Sequence, residues 1–171
     1  MDIDFSPTVL AIGLFGAVFL LVGCGGTGAP PNVPAGRFTA QIDGAVSDTI
    51  SGAVYYRARE DSLVGLELGP EEEAGLSMEL EPRPPALLTY EALDPALFGT
   101  DRPEGLPGVV AFLTLDGAHF ESTHGTLELT YVDEEQVGAQ FSFEMEGTLG
   151  TDLGEPASVT ITGQFNAPAR P

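Results

Sequence analysis

The chain of 171 residues carries 26 Asp+Glu against 6 Lys+Arg, every basic residue being arginine, for a formal net charge of −20. A field of that sign repels nucleic acid and acidic lipid surfaces, so neither is an expected partner, whereas cations and basic proteins would be drawn to it. The single cysteine excludes an intrachain disulfide framework and a multi-cysteine zinc site, so any folded domain must be held by its own core, for which 43% hydrophobic residues supply the material.

In chain order, the first element is apolar. From Thr8 to Gly23 no residue is charged, a run of 16 residues. Crossing a hydrocarbon core takes about 20 helical residues, so the run has the length of a signal-peptide core, and residues 1–23 are expected to form a signal-peptide helix. Leu21-Val22-Gly23-Cys24 ends it. This segment resembles the lipobox of bacterial lipoproteins, in which small residues precede a cysteine that is acylated and becomes the first residue of the mature chain. The resemblance implies cleavage between Gly23 and Cys24, a diacylglyceryl group on the Cys24 thiol and an acyl chain such as palmitate on the freed amine. Several chains together give the stable anchoring that one cannot. The leader departs from the usual pattern in carrying Asp2 and Asp4 and no basic residue. An uncleaved anchor helix is the alternative. Gly25 stands where an Asp would mark retention in the inner membrane of some bacteria, so the resemblance implies the cell envelope, at the outer membrane.

Residues 24–36, with "GGTGAPPNVPAG" after the cysteine, are too rich in Gly and Pro for regular structure and are expected to form a tether. Fully extended, twelve such residues would reach about 35 Å.

From Arg37 the dominant period is two, and residues 37–168 are expected to form one antiparallel β domain followed by a tail at 169–171. Phe38, Ala40 and Ile42 alternate with polar residues in 37–43; Leu127, Leu129 and Tyr131 do so in 125–131. The most regular case is 137–146, where Val137, Ala139, Phe141, Phe143 and Met145 share one side; Val159, Ile161 and Phe165 repeat the pattern near the end. Alternation of this kind marks sheets with one buried and one wetted face. Further strands are expected at 50–59, 63–68, 76–81 and 109–115, the last apolar on both faces and therefore central or covered. Glu60-Asp61-Ser62 and Asp133-Glu134-Glu135 suit hairpin connections. Asp94 and Pro95 can open one helical turn through Phe98, ended by Gly99. Eight to ten short strands read as an all-β fold, an antiparallel β-sandwich or flattened barrel. The Pro-rich residues 82–108 are expected to be a long irregular excursion and the best place to look for a site.

"GTLELTYVDEEQVGAQFSFEME" (125–146) and "ASVTITGQFNAP" (157–168), with the opening strand "RFTAQIDG" (37–44), resemble a family of small bacterial lipoproteins that carry a β domain of unknown function. Phe165-Asn166-Ala167-Pro168 matches the family's closing Phe-Asn-x-Pro. Gly138 and Ala139 depart from it, since the family places glycine two residues after the valine that is Val137 here. The resemblance implies a location and a fold, and no activity.

Chemistry-bearing residues are few. His119, Glu121 and His124 in "AHFESTH" form the one cluster of candidate metal ligands: on a strand the first two share a face, and His124 would have to fold back from a turn. Their spacing matches no established signature. Neither Glu71-Glu72-Glu73 nor Asp133-Glu134-Glu135 has the Asp/Asn alternation and Gly of a calcium loop. Tyr55, Tyr56 and Tyr90 are candidates for a sugar-binding platform, although adjacent tyrosines on a strand must face opposite ways, so only one of Tyr55 and Tyr56 can lie in the core. There is no Gly-x-Ser-x-Gly elbow and no phosphate loop, and Cys24 is assigned to lipid. The expectation is a monomeric, lipid-anchored, acidic envelope protein with a structural or interaction role, without enzymatic activity or cofactor. The alternative is a surface binding module for a carbohydrate, a cation or a basic protein.

Overall fold

The computed structural model describes residues 28, 31–58, 64–68, 74–81, 86–95, 106–133, 135–149 and 154–170. The signal segment, Gly23 and Cys24, the Glu60-Asp61-Ser62 connection, the Glu71-Glu72-Glu73 run and Pro171 lie outside them.

Among the described residues, nine strands form a single sheet that closes on itself: β1 (Arg37–Gly44), β2 (Asp48–Ala58), β3 (Val64–Leu68), β4 (Ala74–Glu81), β5 (Thr89–Ala92), β6 (Gly108–Leu115), β7 (Ala118–Val132), β8 (Gln136–Leu149) and β9 (Glu155–Pro168). Around the ring the order is β1-β2-β3-β4-β6-β5-β7-β8-β9, with β9 back on β1 from Arg37↔Asn166 to Gly44↔Val159. Every pairing is antiparallel except the short β5–β6 contact. The all-β expectation holds, in its barrel form. Closure leaves no free sheet edge among these strands.

Alternation places the core inside the ring. Phe38, Ala40 and Ile42 of β1, Leu76, Met78 and Leu80 of β4, Val137 to Met145 at odd positions of β8, and Val159, Ile161 and Phe165 of β9 are all buried. Phe141 and Phe143 lie side by side with ring centroids 5.8 Å apart. The large rings fit because glycines face them. Phe38 pairs with Gly52, Phe120 with Gly147, Phe143 with Gly125 and Phe141 with Gly163. A Cβ on Gly163 would come within 2.6 Å of the Phe141 ring, so a side chain there would displace it.

β7 reads differently from its sequence pattern. The strand begins at Ala118, seven residues before the alternation that marks it at 125, and it runs through His124 without a turn. Ala118, Phe120 and Ser122 point inward at even positions, whereas Leu127 and Leu129 do so at odd ones. The parity changes because β7 gains an extra residue against β8 between Ser122 and His124, and again between Leu129 and Tyr131. Both extra residues, Thr123 and Thr130, donate their hydroxyls to β8 carbonyls, those of Glu144 at 3.2 Å and Gly138 at 3.4 Å. Each bulge thus keeps a cross-strand bond where the ladder loses one.

The Pro-rich excursion is not wholly irregular. It contains β5, which wedges between β6 and β7. Those two strands pair directly from Leu115↔Ala118 to Phe112↔Glu121, joined by the turn Asp116-Gly117 with φ of 50° and 78°. Positive φ at both positions is the hairpin geometry that Asp-Gly favours. Beyond Phe112 the strands part, and β5 fills the fork, pairing Glu91 with Gly108 on one side and Tyr90 with Leu127 on the other. At the apex the Ala111 amide has no β7 carbonyl to meet; it donates instead to Ser122 Oγ at 2.9 Å, which explains a fully buried serine. Of the helical turn expected from Asp94, Pro95 is in 3₁₀ conformation and residues 96–100 lie outside the described residues. The doubly apolar strand is covered as expected: Val110, on the outer face of β6, is buried.

One end of the barrel, the arm end, is where β1 begins and β9 ends, and it receives the described residues that flank them: an arm of Gly28 and residues 31–36 before β1, and Ala169 and Arg170 after β9. The arm lies against it. Pro31 packs so closely over Gly138 that a Cβ there would sit 2.5 Å from the proline ring, and Gly36 N–H donates to Asn166 O at 2.7 Å. The 35 Å reach of an extended tether therefore does not apply to this docked half.

Candidate functional site

The three candidate metal ligands share the outer face of β7 but are strung along it. His119 pairs with Thr148 of β8 and Thr114 of β6, with Nδ1 3.2 Å from Thr114 Oγ1. Glu121 faces Glu146, and His124 faces Glu144. The Thr123 bulge lengthens the gap between Glu121 and His124, and among the described residues no group of three or more His, Cys, Asp or Glu is placed to hold a metal ion. His124 belongs instead to a shallow groove of about 290 Å³ on the outer face, shared with Asp43, Glu144 and Glu146.

The three tyrosines do not form a platform. Tyr56 points inward and is buried, Tyr55 points outward beneath the Arg170 guanidinium, 4.0 Å from the ring centroid, and Tyr90 is buried at the β5 wedge. The expected opposition of Tyr55 and Tyr56 is seen. Burial pushes the Tyr56 hydroxyl above its ordinary pKa, with the Asp133 charge adding to the effect. Burial does the same to Tyr90, partly offset by the Ala86 amide, which donates to its oxygen at 3.1 Å.

A second outer-face groove, of about 350 Å³, crosses β2, β1, β9 and β8 and is lined by Thr39, Gln41, Thr49, Gln140, Thr162 and Gln164. These side chains are all uncharged amides and hydroxyls, on a protein with 26 carboxylates. Thr49 Oγ1 donates to Gln41 Oε1 at 3.1 Å. No single strand reveals this patch: it appears only when the register brings alternate residues of four strands together.

At the arm end, the Phe165-Asn166-Ala167-Pro168 motif gains a physical role. Phe165 and Ala167 point into the core, and Asn166 points out beneath the arm, where its Nδ2 donates to Val33 O at 3.2 Å. Asn166 Oδ1 is buried there without a hydrogen-bond partner. The β7–β8 connection stands beside it. Asp133 Oδ1 accepts from Glu135 N–H at 2.8 Å, and its other oxygen accepts from the Tyr131 hydroxyl. The Tyr131 hydroxyl and the Glu135 amide hold the Asp133 carboxyl below the usual carboxylate range. The tail closes the cluster, with Ala169 N–H on Glu135 O at 2.7 Å and Arg170 N–H on Tyr56 O at 2.9 Å.

No helix among the described residues is long and apolar enough to cross a membrane. No model of a known protein family, no curated protein and no solved structure matches the chain.

Proposed function

We propose that the protein is a bacterial envelope lipoprotein, anchored through an acylated Cys24 at the outer membrane, whose acidic barrel has a structural or interaction role and no catalytic one. The observation that carries this reading is the uncharged run of 16 residues ending at Leu21-Val22-Gly23-Cys24. The barrel supports it in one respect: a sheet closed on itself offers no free edge for strand-by-strand association while it presents its faces. Labelled palmitate should enter the wild-type chain and not Cys24→Ala. Labelling that survives the substitution would end this reading.

A second reading, a binding module, is favoured by the Thr/Gln groove. Amide and hydroxyl side chains suit the hydroxyls of a neutral glycan better than a cation or a basic protein. Titration with neutral polysaccharides, comparing wild type with Gln41→Ala and Gln164→Ala, tests it; equal behaviour of all three proteins would remove the groove from consideration.

A further inference from the structure

The described residues expose three large hydrophobic side chains, Leu87 at 37%, Leu88 at 44% and Leu106 at 59%, and all lie between β4 and β6. Their places in the fold coincide. Leu87 and Leu88 immediately precede β5, and Leu88 O accepts from Leu129 N–H at 3.0 Å, near the end of β7. Continuing the Glu91↔Gly108 register backward by two residues sets Leu106 level with Thr89. The three leucines therefore gather at the arm end.

The arm reaches the same place. Gly28 lies so tightly against β7 that a Cβ there would sit 1.8 Å from Thr130 O and 3.3 Å from Leu87 Cδ2. Three residues separate Gly28 from Cys24, and the four steps between them span at most about 14 Å even when fully extended. An anchor at Cys24 would hold the leucines against the lipid headgroups.

We propose that the barrel stands on the membrane on its arm end, with Leu87, Leu88 and Leu106 entering the boundary between headgroups and acyl chains. This rests on the acylation of Cys24. The surface is a zwitterionic one, because Asp133 and Glu135 of the β7–β8 connection lie at the same end and the chain's charge of −20 would be repelled by anionic lipid. Three leucines alone bind weakly. Behind a covalent anchor their insertion is intramolecular, and they set the barrel's orientation.

The test uses the full chain, processed in a bacterial host, with Leu88→Cys, Leu106→Cys or Ser47→Cys; Ser47 is exposed between β1 and β2 at the opposite end. Acylation consumes the Cys24 thiol, so each variant takes one bimane label. In phosphatidylcholine vesicles containing brominated lipid, the labels at 88 and 106 should lose most of their fluorescence while the label at 47 keeps it. Labels at 88 and 106 as bright as the one at 47, at one label per chain, would overturn the proposal and leave the anchor standing. Two labels per chain would mean a free Cys24 thiol; the anchor then fails, and the proposal with it.

Discussion

The two sides of the barrel are built to different heights. β7, β8 and β9 run 15, 14 and 14 residues, whereas β3 and β5 run five and four. The tall wall carries its own instructions: strict alternation, aromatic rings seated over glycines, and two bulges that bend β7 so that it stays paired along its length. The low wall has too few residues per strand for a pattern to specify it. It is positioned by what stands on either side, β5 most plainly, since β6 and β7 grip it from both edges. Stability should accordingly be concentrated in the tall wall.

The sharpest way to break this contrast is to hollow each wall in turn. Phe143→Ala is expected to cost about 3–5 kcal/mol, and Leu66→Ala, in β3, the lower part of about 2–5, because a strand of only five residues can shift into the gap. Urea melts measure both. Equal losses would show that the low wall is as rigid as the tall one.

The fork where β5 enters gives the next effect. Ser122→Ala leaves the buried Ala111 amide without an acceptor and should cost about 1–3 kcal/mol, with faster hydrogen exchange at Ala111. Unchanged exchange there would mean that the apex does not depend on the hydroxyl.

The β7–β8 connection should show a dependence on pH. The Asp133 carboxyl is held below its ordinary range by Tyr131 first and by the Glu135 amide next. A depressed carboxylate stabilises the fold above its unfolded pKa of about 3.9, and that contribution is lost as pH falls through the folded value. The stability difference between wild type and Tyr131→Phe should be present at neutral pH and fade below about pH 4. A difference that stays constant into acid would assign the hydroxyl another role. The smallest effect is expected at Glu144→Ala on the wetted face of β8, within about 0.5 kcal/mol.

How much of this was legible depends on the wall. In β8 the inward set Val137, Ala139, Phe141, Phe143 and Met145 could be read directly, because one register holds along the whole strand. In β7 the pattern could be followed only from 125, since the Thr123 bulge reverses parity and a period of two cannot be traced across it. The Asp116-Gly117 turn has a local signal, Asp-Gly between two apolar stretches, and it joins β6 to the earlier half of β7. β5 was not legible at all, because four residues among prolines have no periodicity of their own. The same holds for the candidate sites. His119 and Glu121 were rightly placed on one face, and His124 was misplaced by a turn that the bulge makes unnecessary. The Thr/Gln groove and the leucines at the arm end depend on register and closure, which no local window contains. The glycines opposite phenylalanines carry no meaning within their own strands, and only pairing shows that they make room.

The seam between β1 and β9 joins residues more than a hundred positions apart in the chain. Closure is thus the least local event in folding, and it waits on the synthesis of β9. A chain ended before Glu155 would leave β1 and β8 each with a row of unpaired amides and carbonyls. Two such chains can satisfy one another by exchanging edges, so products truncated before β9 should accumulate as dimers and larger assemblies, whereas the chain that carries β9 closes on itself.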